Sequence, residues 1–185
     1  MNNSAIEDIK KQLELDITSG NPYWNITPET ASVIVSILKK QTPMHVLEIG
    51  TSVGYSAICM AEVLSHWSGE LITVESHAER FGQAQANITA SGLTNITQIQ
   101  GHAPEILADI PGTFDAIFLD ATKYEHTSYF LALKERVNKG GIIIADNMLS
   151  HETDMALYKK TVESDPQFES IMIEVGTGLM VSTHI

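Results

Sequence analysis

His45-Val-Leu-Glu-Ile-Gly-Thr-Ser-Val-Gly-Tyr-Ser-Ala57 is the stretch on which the fold turns. An apolar run of Val46, Leu47 and Ile49 closes on Gly50, and a second glycine follows at Gly54. Ala57, Ile58, Met60, Ala61 and Leu64 then recur with helix-like spacing. A buried strand, a tight turn and the start of a helix give this pattern. Glycines at such a turn accept positive φ and let a ligand approach the backbone. Glu48 argues against a phosphate ligand, because a carboxylate beside the turn repels it. A nucleoside carrying a positive charge suits the loop better than a dinucleotide pyrophosphate.

Leu71-Ile-Thr-Val-Glu75 reads as the next strand, again ending in an acid. A carboxylate at the end of the second strand of a nucleotide-binding βαβ unit accepts hydrogen bonds from ribose hydroxyls. A solvated strand-end glutamate is the bland alternative, and alone the two readings are evenly matched. The glycine loop one strand upstream favours the ribose.

Upstream, Ile6, Ile9, Leu13 and Ile17 predict a helix over residues 4–18, ended by Ser19-Gly-Asn-Pro22. A second helix is expected from Thr27-Pro-Glu29, with Thr27 as N-cap and Pro28 in the first turn. Downstream, strands are predicted at 44–49, 70–75, 96–100, 114–119 and 141–146. Helices are predicted at 55–66, 78–91, 104–108, 123–137 and 153–164. Gly92, Gly112 and Gly140-Gly141 are read as breaks at helix ends or turns. Such alternation implies parallel strands joined by right-handed crossovers, with helices on both faces. Residues 168–174 and 179–183 are separated only by Val175-Gly-Thr-Gly178, which permits a hairpin but no crossover. The expected architecture is a three-layer α/β domain over 1–185, with N-terminal helices in 1–42 and an α/β core in 43–185. Its seven-stranded sheet is expected to be parallel but for one reversed strand.

The 185 residues suit a single domain. A formal net charge of −12 argues against nucleic acid or an anionic membrane as partner. No apolar run approaches a membrane span, and the N-terminus lacks a signal-peptide core, so a cytoplasmic location is expected. The single cysteine, Cys59, lies in an apolar helix pattern and reads as a buried, inert thiol.

Ligands of open α/β sheets sit outside the carboxyl ends of the strands. The residues ending the predicted strands are Glu48, Glu75, Asp120 and Asp146-Asn147, with His102 just past Gln100. Asp120, Asp146 and Asn147 end strands expected to be neighbours, and offer a hard cation two carboxylates and an amide oxygen. Singly, Asp120 reads better as a helix N-cap and Asp146-Asn147 as a turn. Taken as a set they favour a metal. Lys123 opens the next predicted helix, where a cation opposes the helix dipole. It fits a general base facing a ligand, or a surface lysine.

Val46-Leu-Glu-Ile-Gly-Thr-Ser-Val-Gly-Tyr-Ser56, Ile72-Thr-Val-Glu75, Gly101-His-Ala103, Phe118-Leu-Asp-Ala-Thr-Lys123 and Ala145-Asp-Asn147 resemble, in order and spacing, the cation-dependent O-methyltransferases of the catechol and caffeoyl-CoA type. The likeness covers residues 23–148 and resumes at Val175-Gly-Thr-Gly-Leu179. The glycine loop alone marks only a class I methyltransferase; the Asp-x-x-Lys and Asp-Asn pair is far more specific. The resemblance implies a Rossmann-like sheet with S-adenosylmethionine across its strand ends. It assigns the cofactor to Asn25, Ile26, Glu48, Gly50, Thr51, Ser52, Gly54, Tyr55, Ser56, Glu75, Ser76, Gly101, His102, Ala103 and Asp120. Asp120, Asp146 and Asn147 match the ligands of a divalent cation, Mg²⁺ in the first instance. Lys123 matches the catalytic base, with Asp120 beside it.

The implied reaction methylates a hydroxyl of a small phenolic, catechol-like acceptor. Trp24, Tyr55, Tyr124 and Met148 are candidate pocket walls, with core packing as the alternative for each. His126 and His151 are read as solvated rim residues. Two stretches depart from the family pattern: the short Met148-Leu-Ser-His-Glu-Thr153 segment and the region before Asn21. Both bear on acceptor recognition, so the acceptor stays open. Methylation of a nucleoside in RNA, or a cofactor-binding protein without turnover, are the competing functions. A homodimer through the N-terminal helices is the family expectation.

Overall fold

In the computed structural model, which describes residues 3–19 and 25–185, the apolar runs form a seven-stranded sheet. Strand β1 (His45–Ile49) pairs in parallel with β2 (Glu70–Glu75) and β4 (Phe114–Leu119). Beyond them β3 (Ile96–Gln100) lies parallel to β2, and β5 (Val137–Ala145) parallel to β4. At the far edge β7 (Leu179–His184) runs antiparallel to both β5 and β6 (Phe168–Ile173). The order is β3-β2-β1-β4-β5-β7-β6, so β7 is the one reversed strand, as its short loop requires. The order in which successive strands are added reverses between β1 and β4, where open α/β sheets bind ligands.

Alternation along each strand divides the core into two layers. Val46, Phe118, Ile142 and Ile144 face the layer containing helices α1 (Asn3–Thr18), α2 (Pro28–Gln41) and α3 (Tyr55–Leu64). Leu47, Ile117, Leu119 and Ile143 face α5 (His126–Leu133) and α6 (Glu152–Glu163). Helix α4 (Ala78–Ser91) packs on α1 and α3. The α2 start is as expected: Pro28 is in the first turn, and Thr27 Oγ1 accepts the Thr30 amide at 3.2 Å. Cys59 is buried on α3 and its thiol is pushed up to about 12 by that burial. Among the described residues, no helix is long and apolar enough to cross a membrane.

The expected helix over 123–137 is corrected. It is broken into 3-10 turns at Lys123–Glu125 and Lys134–Arg136 flanking the eight-residue α5. The cause lies outside the segment. Arg136 donates to the carbonyls of Leu107, Ile110 and Gly112, and Val137 pairs with Phe114 in the sheet. Gly140-Gly141 therefore falls within β5, beside a register shift between Phe114 and Ala116, rather than at a helix end. The short helix expected at 104–108 is a 3-10 turn, Glu105–Asp109.

Candidate active site

The site is built by hydrogen bonds that carry the ladders one residue past the strand ends. Gly50 N donates to Val74 O at 2.9 Å, Asp120 N to Ile49 O at 2.9 Å and Asp146 N to Leu119 O at 3.0 Å. Gly101 N reaches Glu75 O at 3.0 Å. Gly50, Glu75, Gly101, Asp120 and Asp146 thus share one edge. Gly50 is required there by the protein's own backbone: its φ is +105°, and a Cβ would overlap the Asp120 carbonyl.

A cavity of about 320 Å³ opens along this edge. Gly50, Ser52, Glu75, Ser76, Gly101, His102, Ala103, Asp120 and Lys123, all singled out in the sequence, line it. So do Arg80, Thr122, Tyr124, Tyr129 and His151. Glu75 is buried on the β2 side. Its Oε2 accepts Ser52 N at 2.8 Å; its Oε1 accepts His77 N at 2.8 Å and Arg80 Nη2 at 3.0 Å. Ser52 takes a left-handed φ of +49°, and its buried Oγ has no hydrogen-bond partner. A strained turn presenting an unpartnered hydroxyl beside a carboxylate is the arrangement expected of a ligand loop.

On the β4 side, Lys123 Nζ lies 3.2 Å from Asp120 Oδ1. Burial raises Asp120 to about 7; the Lys123 charge pulls it down and the Asp146 charge pushes it further up. Asp146 is also raised, mainly by burial, against donation from Thr177 and the Asn147 amide. Asn147 has a φ of +67°, and its buried Oδ1 has no partner. Asp146 and Asn147 are buried and do not line the cavity, but Asp146 is close enough to Asp120 for its charge to act there. Among the described residues, no three His, Cys, Asp or Glu side chains form a metal cage; the candidate set depends on the asparagine.

The structure does not bring every assigned residue to the cavity. Glu48 alternates onto the α3 face with Val46 and is fully buried, hydrogen-bonded to Ser56 and Thr73. Thr51 joins the same network through Thr73 at 2.5 Å. Thr51, Glu48 and Ser56 therefore form a polar layer beneath the loop. Gly54, with φ +93°, gives close packing against Ala84 of α4. Tyr55 is in the core, its hydroxyl donating to Glu14 at 2.7 Å. Asn25 and Ile26 lead into the α2 cap, and buried Ile26 packs in the helical core. Of the proposed walls, exposed Tyr124 lines the cavity, Met148 and Tyr55 are core, and Trp24 lies outside the described residues. His126 is not a rim residue: it is fully buried, 3.1 Å from Thr122 O, and burial lowers it to about 4. His151 is half-buried at the cavity.

Arg80 and Thr177 were not read from the sequence. Arg80 had a usable signal, since an arginine in the first turn of the predicted 78–91 helix opposes the helix dipole, the argument applied to Lys123 in its own predicted helix. Thr177, which donates to Asp146 Oδ1 at 2.5 Å, lies in the Val175-Gly-Thr-Gly-Leu179 stretch of family likeness, but nothing in the sequence tied it to Asp146.

The buried network makes a stability prediction. Burial raises Glu48 to about 7 from an ordinary 4.5, with hydroxyl hydrogen bonds opposing the rise. The folded chain therefore keeps a proton that the unfolded chain releases. This stabilisation is complete below about pH 4.5 and is lost as pH rises to about 7. The effect is on the order of 3 kcal/mol. Glu48→Gln should gain stability relative to the wild type between pH 4.5 and 7.5 in urea titrations; parallel profiles would contradict the assignment.

The strand order and a cavity at the strand ends, lined by Ser52 and the buried Glu75, define a Rossmann-like fold with its candidate site at that edge. The sequence model of the O-methyltransferase family matches residues 4–185, and the chain belongs to that family. It is 35% identical over 136 residues to a catechol O-methyltransferase of Niastella koreensis, covering 71% of this chain and 61% of that protein. With caffeoyl-CoA O-methyltransferase 1 of Eucalyptus globulus, identity is 28% over 92% of this chain and 79% of the relative. The Bacillus cereus O-methyltransferase in complex with SAH superposes with a TM-score of 0.84 at 22% identity, covering 100% of this chain and 92% of the other. A Streptomyces achromogenes O-methyltransferase in complex with SAM gives 0.82 at 20% identity, over 100% and 91% of the two chains.

Proposed function

We propose that the protein transfers a methyl group from S-adenosylmethionine to a hydroxyl of a small phenolic, catechol-like acceptor, assisted by a divalent cation such as Mg²⁺. The observation that carries this reading is one cavity bounded by Glu75 and Ser52 at one end and by Asp120 and Lys123 at the other. The names of the relatives point to the same acceptor class. Support for a hard dication comes from the orphaned Asn147 Oδ1, and from Asp120 and Asp146 being close enough for one charge to raise the other. A cation would neutralise two buried carboxylates that otherwise repel.

Bound at this edge, S-adenosylmethionine would supply an activated methyl group and the cation a Lewis acid for the acceptor oxygen. Glu75 would hold the ribose, with Ser52 Oγ as a further partner. The uncharged amine of Lys123 would take the acceptor proton at Nζ, from the place where the 3.2 Å contact with Asp120 Oδ1 holds it. The reaction needs no nucleophile from the protein, whose main task is alignment.

Methyl transfer to a panel of catechols, with Mg²⁺ and with a chelator, tests this. Transfer that needs the cation is expected. No transfer to any catechol would remove the acceptor assignment, and transfer indifferent to the chelator would remove the metal. Glu75→Ala should weaken binding of S-adenosylhomocysteine by about 1–3 kcal/mol, the loss expected when hydroxyls lose a charged partner. An unchanged Kd by calorimetry would put the ribose elsewhere.

A further inference from the structure

We propose that Thr177 is a positioning residue for the cation, acting through Asp146; the inference rests on the reading of Asp120, Asp146 and Asn147 as ligands. Asp146 follows β5, and Thr177 lies 31 residues away in the turn between β6 and β7. The Thr177 hydroxyl donates to Asp146 Oδ1 at 2.5 Å, and the Asn147 amide donates to that same oxygen at 2.6 Å. Among the described residues no donor reaches Oδ2. Two donors on one oxygen fix the carboxylate plane and leave the other oxygen as the ligand atom. A ligand already held in orientation loses less freedom when it binds a cation.

The donor itself is well anchored. The Thr177 carbonyl accepts the amides of Leu149 at 2.9 Å and Ser150 at 3.1 Å, while Met148 N donates to Gly178 O at 3.0 Å. The backbone of this residue therefore ties down the chain just after Asn147, while its side chain holds Asp146. Gly176 sits against Thr30 of α2, where a Cβ would overlap the threonine hydroxyl, so the turn cannot easily slide. A threonine suits the position because its branched Cβ restricts χ1 and keeps the hydroxyl aimed. Valine has nearly the same shape without the donor; serine keeps the donor.

The test is Mn²⁺ titration of the full chain by calorimetry, for the wild type, Thr177→Val and Thr177→Ser. S-adenosylhomocysteine affinity and the urea midpoint are measured alongside. Thr177→Val should bind Mn²⁺ about 10- to 100-fold more weakly, the usual consequence of losing an outer partner of a ligand. Its cofactor affinity should stay at the wild-type value, and Thr177→Ser should bind Mn²⁺ close to the wild type. Wild-type uptake with unchanged affinity in Thr177→Val would overturn this inference alone. An equal loss in Thr177→Ser would also overturn it, because the hydroxyl would not be the cause. A wild-type protein that takes up no Mn²⁺ would remove the cation reading and this inference together.

Discussion

Asp146→Ala is expected to abolish cation-stimulated methyl transfer while leaving cofactor affinity nearly intact. The carboxylate follows β5, with β4 and β1 between it and the Glu75 strand β2, so its loss should not reach the proposed ribose end. Removing it takes away one of three candidate ligands, and leaves Thr177 and the Asn147 amide without their acceptor. Turnover should fall by roughly 10³-fold, equivalent to the several kcal/mol that a Lewis-acidic cation supplies. Calorimetry with S-adenosylhomocysteine and rates at saturating Mg²⁺ check both halves. A variant that retains full activity in the presence of a chelator would show that the metal assignment is wrong.

Lys123→Ala should lower kcat by about 10²- to 10⁴-fold, the range for loss of a general base, with smaller changes in binding. Charge and proton transfer can be separated here. Lys123 also pulls the raised Asp120 downward, so its removal favours the protonated, non-ligating form of that carboxyl. Lys123→Arg keeps the positive charge but cannot act as a base. If the lysine is the base, Arg and Ala should be comparably slow; if only its charge matters, Arg should keep most of the rate. An unchanged rate in Lys123→Ala would remove the residue from the mechanism.

Most of the architecture was legible because it follows from local pattern. Five predicted elements, 70–75, 78–91, 96–100, 114–119 and the α2 start at Thr27-Pro28, agree with the structure in residue range or cap. The antiparallel β7 followed from a loop too short to cross over. The helix at 123–137 was misread because its C-terminal turn is claimed by distant partners, the carbonyls bound by Arg136 and the Phe114 pairing of Val137. The direction of the Glu48 side chain was not legible for a related reason. Its position near the strand end suggested the ligand edge, whereas period-two alternation turns it onto the α3 face with Val46.

The sequence by itself determined the sheet, its single reversed strand, and the family to which Asp120, Lys123, Asp146 and Asn147 point, because strand periodicity, loop length and motif spacing are local properties of the chain. Only the tertiary structure decided which assigned residues face the cavity. Glu75, Ser52 and Lys123 do, while Glu48, Ser56 and Tyr55 lie beneath it. Only the structure could pair Thr177 with Asp146 and Arg80 with Glu75. Side-chain direction and partners across the sheet depend on how separate elements pack, and burial then sets which carboxyls keep their protons.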